Sequence, residues 1–162
     1  MKRRIAPIAA FLVLPAISLM LALGAGYLKW TCATTAAAQR AGIDAMHAAS
    51  TGAVAMLSYR PQTVDADLAS AREHLTGILK ESYGALTHDV VAKGAKEQRI
   101  SATATVPATA VVSATQNSAV ILVFVDQTVT VGNDAPTDTV SRVRVTLTNS
   151  ESRWLISGFD PI

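Results

Sequence analysis

Cys32 is the only cysteine, so no disulfide can close within the chain and no thiolate-based zinc site can be built from it. Phosphate-binding glycine loops, His-Glu-x-x-His and Gly-x-Ser-x-Gly are all missing, which removes the common nucleotide-binding, zinc-peptidase and serine-hydrolase signatures. The three histidines, His47, His74 and His88, fall on three separate predicted helices. His74 follows Glu73 and His88 precedes Asp89, and adjacent side chains diverge on a helix, so surface histidines are expected and a metal site is not. A basic surplus is missing too, once the first four residues are set aside. Residues 29–162 hold all 12 acidic residues and all but three of the 14 basic ones, a net of −1. That balance offers no cationic footprint for nucleic acid. The densest basic group, Lys93, Lys96 and Arg99, is interleaved with Glu97 and reads as a solvated helix end.

The most consequential gap is one of charge: from Ile5 to Leu28, 24 residues pass without Asp, Glu, Lys, Arg or His. As a helix they would reach about 36 Å, enough for a hydrocarbon core of about 30 Å with some tilt. Lys2, Arg3 and Arg4 precede the run, and Lys29 and Arg40 follow it. The positive-inside rule therefore predicts a cytoplasmic N-terminus at 1–4, a transmembrane helix over 5–28 and an extracytoplasmic remainder in the cell membrane. A cleaved signal peptide is the rival, with Ala22-Leu23-Gly24 and Gly24-Ala25-Gly26 as passable sites. Signal cores span only ~7–15 residues, and Tyr27 with Trp30 falls where an interfacial aromatic belt belongs, both of which favour a retained anchor. Lys29-Trp30-Thr31 ahead of Cys32 is no lipobox, and Cys32 reads as a tolerated thiol near the bilayer.

Beyond the anchor, proline-free, alanine-rich sequence predicts a membrane-proximal helix over 29–58, with Gly42 and Gly52 as weak points. Alanine recurs every fourth residue from Ala33 to Ala53, a period that drifts ~40° per step and so winds around a helix. A domain over 59–162 follows. Pro61 breaks the helix, Thr63 can cap the next one, and Val64, Leu68 and Ala71 form its buried stripe until about Thr76-Gly77. Asp65 and Asp67 suit the first turn of that helix electrostatically. A third helix, Ile78 to Lys93, would turn Ile78, Leu79, Tyr83, Leu86 and Val90 inward. From Ile100 the period becomes that of strands. Ser101–Val112 holds Pro107, the mark of an edge or bulge. Ser118–Val131 is apolar on both faces as far as Asp126, which predicts cover on both sides. Thr139–Thr148 alternates with Val143, Val145 and Leu147 inward, and Arg153–Phe159 closes the series. Helices followed by consecutive antiparallel strands give an α+β class, helices packed on a curved sheet.

Several fragments occur in a telling order: the basic start and anchor, Leu57-Ser58-Tyr59, Leu75-Thr76-Gly77, Phe124-Val125-Asp126-Gln127, Ser141-Arg142-Val143-Arg144-Val145, Arg153-Trp154-Leu155-Ile156-Ser157 and Phe159-Asp160-Pro161. In this order they resemble the Mce-associated membrane proteins of actinobacteria, over nearly the whole chain. The resemblance implies a C-terminal fold like nuclear transport factor 2, shared with VirB-type assembly factors of type IV secretion. It also implies a place beside Mce complexes, which import lipids, and it brings no catalytic residues and no cofactor. The expected function is thus a non-catalytic accessory protein that scaffolds or stabilises an Mce complex, anchored through residues 5–28 and compatible with a homo-oligomer. The alternative is an extracytoplasmic lipid-binding module that passes apolar cargo, which requires an apolar pocket open to the surface.

The motif residues Asp126, Gln127, Arg142, Arg144, Arg153 and Trp154 are the candidates for partner contact or structural roles. Trp154 is expected to seal the sheet against the helices, and Asp126 and Gln127 to pair across the hairpin with Arg142 or Arg144. An enzyme of this fold would need an acid or base deep in an apolar cone, for which Asp126, Tyr59 and Tyr83 are the only candidates. Fold alone does not license that activity.

Overall fold

The structure, a computed structural model, describes residues 5–162, with few of the side chains before Ala37 included. The expected cytoplasmic residues 1–4, most side chains of the expected span, and those of Tyr27, Trp30 and Cys32 lie outside the described residues. Among the described residues, no helix is long and apolar enough to cross a membrane. The chain divides into two compact units, Met1–Ala37 and Ala38–Ile162. Helix α1 runs from Ile5 to Leu57. In the first unit, Leu19, Met20 and Leu23 are 62, 79 and 66% exposed.

In the second unit, four strands, β1 (Ile100–Ala114), β2 (Ser118–Val131), β3 (Thr137–Ser150) and β4 (Arg153–Pro161), form an antiparallel meander in sequence order. Short turns make this order natural. Glu151 and Ser152, with φ of 52° and 65°, join β3 to β4 in two residues, a turn whose hand matches the strand twist. Register against β2 slips between Thr105 and Ala108, at the site of Pro107, so β1 is both an edge strand and bulged.

One face of the sheet packs against helices. Ala119, Ile121, Val123 and Val125 of β2, Val143, Val145 and Leu147 of β3, and Ile156 of β4 are buried there. The last turns of α1 lie on them through Ala45, Ala49 and Ala53, all fully buried, with Met56. The alanine drift over 41–53 amounts to about 120°, a winding that a twisted sheet can follow. The two glycines of this segment mark its closest approaches. A Cβ on Gly42 would meet Ala114 Cβ at 3.4 Å, and one on Gly52 would lie 2.5 Å from Ile156 Cδ1.

Among the described residues, no second layer covers the other sheet face. Val120, Leu122 and Phe124 are half-buried and the β3 neighbours of the last two, Arg144 and Arg142, are exposed, so the expected cover on both sides of β2 is not there among the described residues. The apolar run is explained by in-plane neighbours: on this face Leu122 stands between Ala110 and Arg144, whose stem can shield it.

Helix α2 (Val64–Arg72) buries Val64, Leu68 and Ala71 as its spacing predicts, and ends earlier than expected. Thr63 precedes it without capping it: its hydroxyl donates to Asp67 Oδ2 at 2.7 Å, and that carboxylate oxygen also accepts from the Arg60 N–H. Helix α3 (Gly77–Leu86) passes through a π-helical turn, Thr87–Val91, into α4 (Ala92–Gln98). Here the inward series is Leu79, Tyr83 and Thr87, while Ile78, Leu86 and Val90 are 82, 57 and 61% exposed. Thr87 takes the inward place because its hydroxyl donates to the Tyr83 carbonyl at 2.6 Å. The extra residue of the π turn then shifts the helix phase, bringing Ala92 and Ala95 inward instead of Val90.

Candidate functional site

The six candidate residues divide between the two faces of the sheet. Gln127 and Trp154 face the helices. Gln127 Nε2 donates to the Leu57 carbonyl at 2.9 Å, supplying a partner to an oxygen that the end of α1 would otherwise leave open. Tyr83 does the same from the helix layer, its hydroxyl donating to the Met56 carbonyl at 3.0 Å. Ser58 Oγ accepts from the Ala104 N–H at 2.9 Å, and Tyr59 pairs its backbone with Ala102, so the segment after α1 is stitched to β1. Trp154 is half-buried against the core, in register with Asn149.

Asp126, Arg142, Arg144 and Arg153 share the opposite face, all exposed. The expected hairpin pairing does not form. Asp126 is opposite Val140, Arg142 opposite Phe124, and Arg144 opposite Leu122 on one side and Asp160 on the other. Among the described residues, ion pairs within 4 Å join Lys80 to Glu73, His88 to Asp89 and Lys96 to Asp65, and none includes these four. The face therefore carries a shallow apolar strip along β2, Val120, Leu122 and Phe124, with Arg144 and Arg142 beside the last two on β3. Sequence alternation could place Arg142 and Arg144 outward, but not the one-residue register that decides their partners.

The candidate acid and phenols do not converge. Asp126 lies on the face away from the helices, whereas Tyr83 is held in the helix layer. Burial pushes the Tyr83 phenol up to about 12, with the neighbouring Tyr59 adding to the rise. Burial also raises Tyr59. The Tyr83 phenol thus stays protonated as the donor to the Met56 carbonyl. His88 and Asp89, expected to diverge, touch at 3.1 Å on the π turn, where both are exposed. Among the described residues, no group of His, Cys, Asp and Glu is arranged to hold a metal ion.

The family model described as "Uncharacterized protein Rv1363c/MT1408-like" matches residues 4–160. The chain is 52% identical over 153 residues to the Mycobacterium tuberculosis protein named "Outer membrane protein Rv1973", covering 94% of this chain and 96% of that one. In three dimensions it resembles the periplasmic domain of DotI, with a TM-score of 0.61 at 16% identity over 72% of this chain and 91% of the other. It also resembles Agrobacterium tumefaciens VirB8, with a TM-score of 0.54 at 10% identity over 72% and 88%. At such identities the likeness shows the fold alone. That fold is the helix-covered antiparallel sheet of the VirB8 and nuclear transport factor 2 type that the sequence resemblance implies.

Proposed function

The chain belongs to the Rv1363c/MT1408-like family, and from that premise we propose that it is a membrane-anchored, extracytoplasmic, non-catalytic scaffold that stabilises an Mce lipid-import complex through protein contacts. One observation carries the scaffold reading. The helix-facing side of the sheet is packed with the domain's own side chains, seven of the large ones being less than 2% exposed, while the other side presents an apolar strip and exposed arginines. A domain so filled has its surface to offer. The lipid-carrier alternative needs an internal apolar pocket, and the packing of Leu75, Ile121, Leu147 and Ile156 against the α1 alanines leaves that interior occupied.

Membrane attachment rests on the uncharged run 5–28 and the basic residues ahead of it. Exposed Leu19, Met20 and Leu23 suit lipid contact. The relative's name places that protein at an outer membrane. An open four-stranded sheet with one face on helices is not a closed barrel, so attachment here is assigned to the helix. The Mce partner comes from the sequence resemblance, and a secretion-system role would rest on fold analogy alone.

The test is crosslinking in native membranes followed by purification in mild detergent. Mce proteins or their permease should co-purify with the wild-type chain and be lost when Arg142, Arg144 and Arg153 are changed together to Glu. Recovery of the chain without Mce components, and unchanged Mce-complex abundance after its deletion, would refute the proposal.

A further inference from the structure

A groove of about 480 Å³ lies between the Arg60–Gln62 turn and the paired ends of β1 and β2, with Arg99, Ser101, Thr103 and Gly132 along its other wall. Its lining holds two guanidinium groups, two hydroxyls and an amide, and no carboxylate. That is unusual in a domain whose net charge is slightly negative. Elsewhere on the surface, Lys80 and Lys96 are matched by Glu73 and Asp65. Arg60 and Arg99 form no ion pair among the described residues, yet share one concavity.

Both arginines are held in place by their backbones. The Arg60 N–H donates to Asp67 Oδ2 at 3.1 Å, which fixes the turn before α2. Asp67 lines the adjoining cleft, and its Oδ2 is already engaged by that N–H and by the Thr63 hydroxyl. Arg99 ends α4 with φ 54° and ψ 47°, a left-handed position where glycine or asparagine is the usual choice. Its carbonyl accepts from the Gly132 N–H at 3.2 Å, and its Nη2 lies 3.7 Å from where a Gly132 Cβ would be. The left-handed residue thus carries a long cationic side chain across the end of β2 into the groove.

We propose that this groove binds an anionic group, a phosphate or carboxylate borne on an organic body. Guanidinium forks match the geometry of both anions, and a concave site concentrates the field of two like charges. Ser101 and Thr103 add hydroxyl donors. The groove exceeds the needs of a bare phosphate, and it meets a second cleft of about 280 Å³ through the shared residues Arg60 and Thr103. There Ala55, Tyr59 and Ala102 supply partly apolar walls for the organic part. The site lies at the β1 edge, where Ser101 and Thr103 belong to the outward face of the sheet, but Arg142, Arg144 and Arg153 do not line it, so it can be tested separately from the scaffold.

The test uses the full chain in a zwitterionic detergent. Thermal unfolding is followed while inorganic phosphate or dihexanoyl phosphatidic acid is added, with chloride at matched ionic strength as reference. Both anions should raise the melting temperature above the chloride control. A lipid phosphate that saturates at least tenfold lower in concentration identifies a headgroup site; equal saturation identifies a site for the free anion. R60Q and R99Q should each weaken the response roughly tenfold, the scale of losing one charged hydrogen-bonding partner, and R99K should retain part of it. If R99Q does not fold, R60Q on the exposed turn decides. No shift beyond chloride with either probe, or a wild-type response from R60Q, overturns the proposal.

Discussion

Two side chains far apart in sequence hold the end of α1. Gln127→Ala removes the donor to the Leu57 carbonyl and should lower unfolding free energy by about 1–2 kcal/mol, the range for a partly buried hydrogen bond and the group it leaves unpaired. Chemical denaturation of the full chain in detergent would measure it. Tyr83→Phe removes the donor to the Met56 carbonyl and should cost about 1 kcal/mol. Its second effect depends on pH. Burial raises the folded-state phenol from 10.0 to about 12, so folding favours the protonated form. The stability tied to this group is therefore whole below pH 10.0 and is lost as pH climbs toward about 12. A pH series of melting curves should show a shallower alkaline decline in Tyr83→Phe than in the wild type. Neither bond could be read from the sequence. Gln127 stood out in a motif, but its partner lies 70 residues away, and only the packed fold brings them together.

The elements themselves were largely legible. Period-two alternation located β2 and β3, Pro107 marked the bulged edge, and Val64, Leu68 and Ala71 gave the buried stripe of α2. What failed was phase. A period of 3.6 residues cannot anticipate a π turn, and the turn at Thr87–Val91 left Val90 outside. Layering failed too: apolar residues on both faces of β2 suggested double cover, where flanking strands alone shield the second face. Two substitutions separate the inward and outward surfaces. Ala49→Leu forces bulk between α1 and the sheet at a fully buried position and should destabilise by about 1–3 kcal/mol. Ile78→Ser, at an apolar residue 82% exposed, should change stability by less than about 0.5 kcal/mol. Urea titrations monitored by Trp fluorescence would compare the pair.

For the molecule as a whole, the proposed topology makes Cys32 a built-in reporter, because it is the only thiol and follows the uncharged run closely. An impermeant maleimide should label it in spheroplasts of an expressing host and leave it unlabelled in inverted vesicles; the reverse pattern would reverse the orientation. The groove at Arg60 and Arg99 was invisible in the sequence, since 39 positions and the whole of α2 to α4 separate its two cations. The same long-range closure bears on how the chain is made. Helix α1 leaves the ribosome before α3 and β2, and the hydroxyl and amide that finish its last turn arrive 27 and 70 residues later. Until α3 has been synthesised for Met56 and β2 for Leu57, these carbonyls must be hydrated or borrow other partners. Truncated chains that stop short of Gln127 should therefore fray at this junction and be cut there by proteases that leave the finished protein intact.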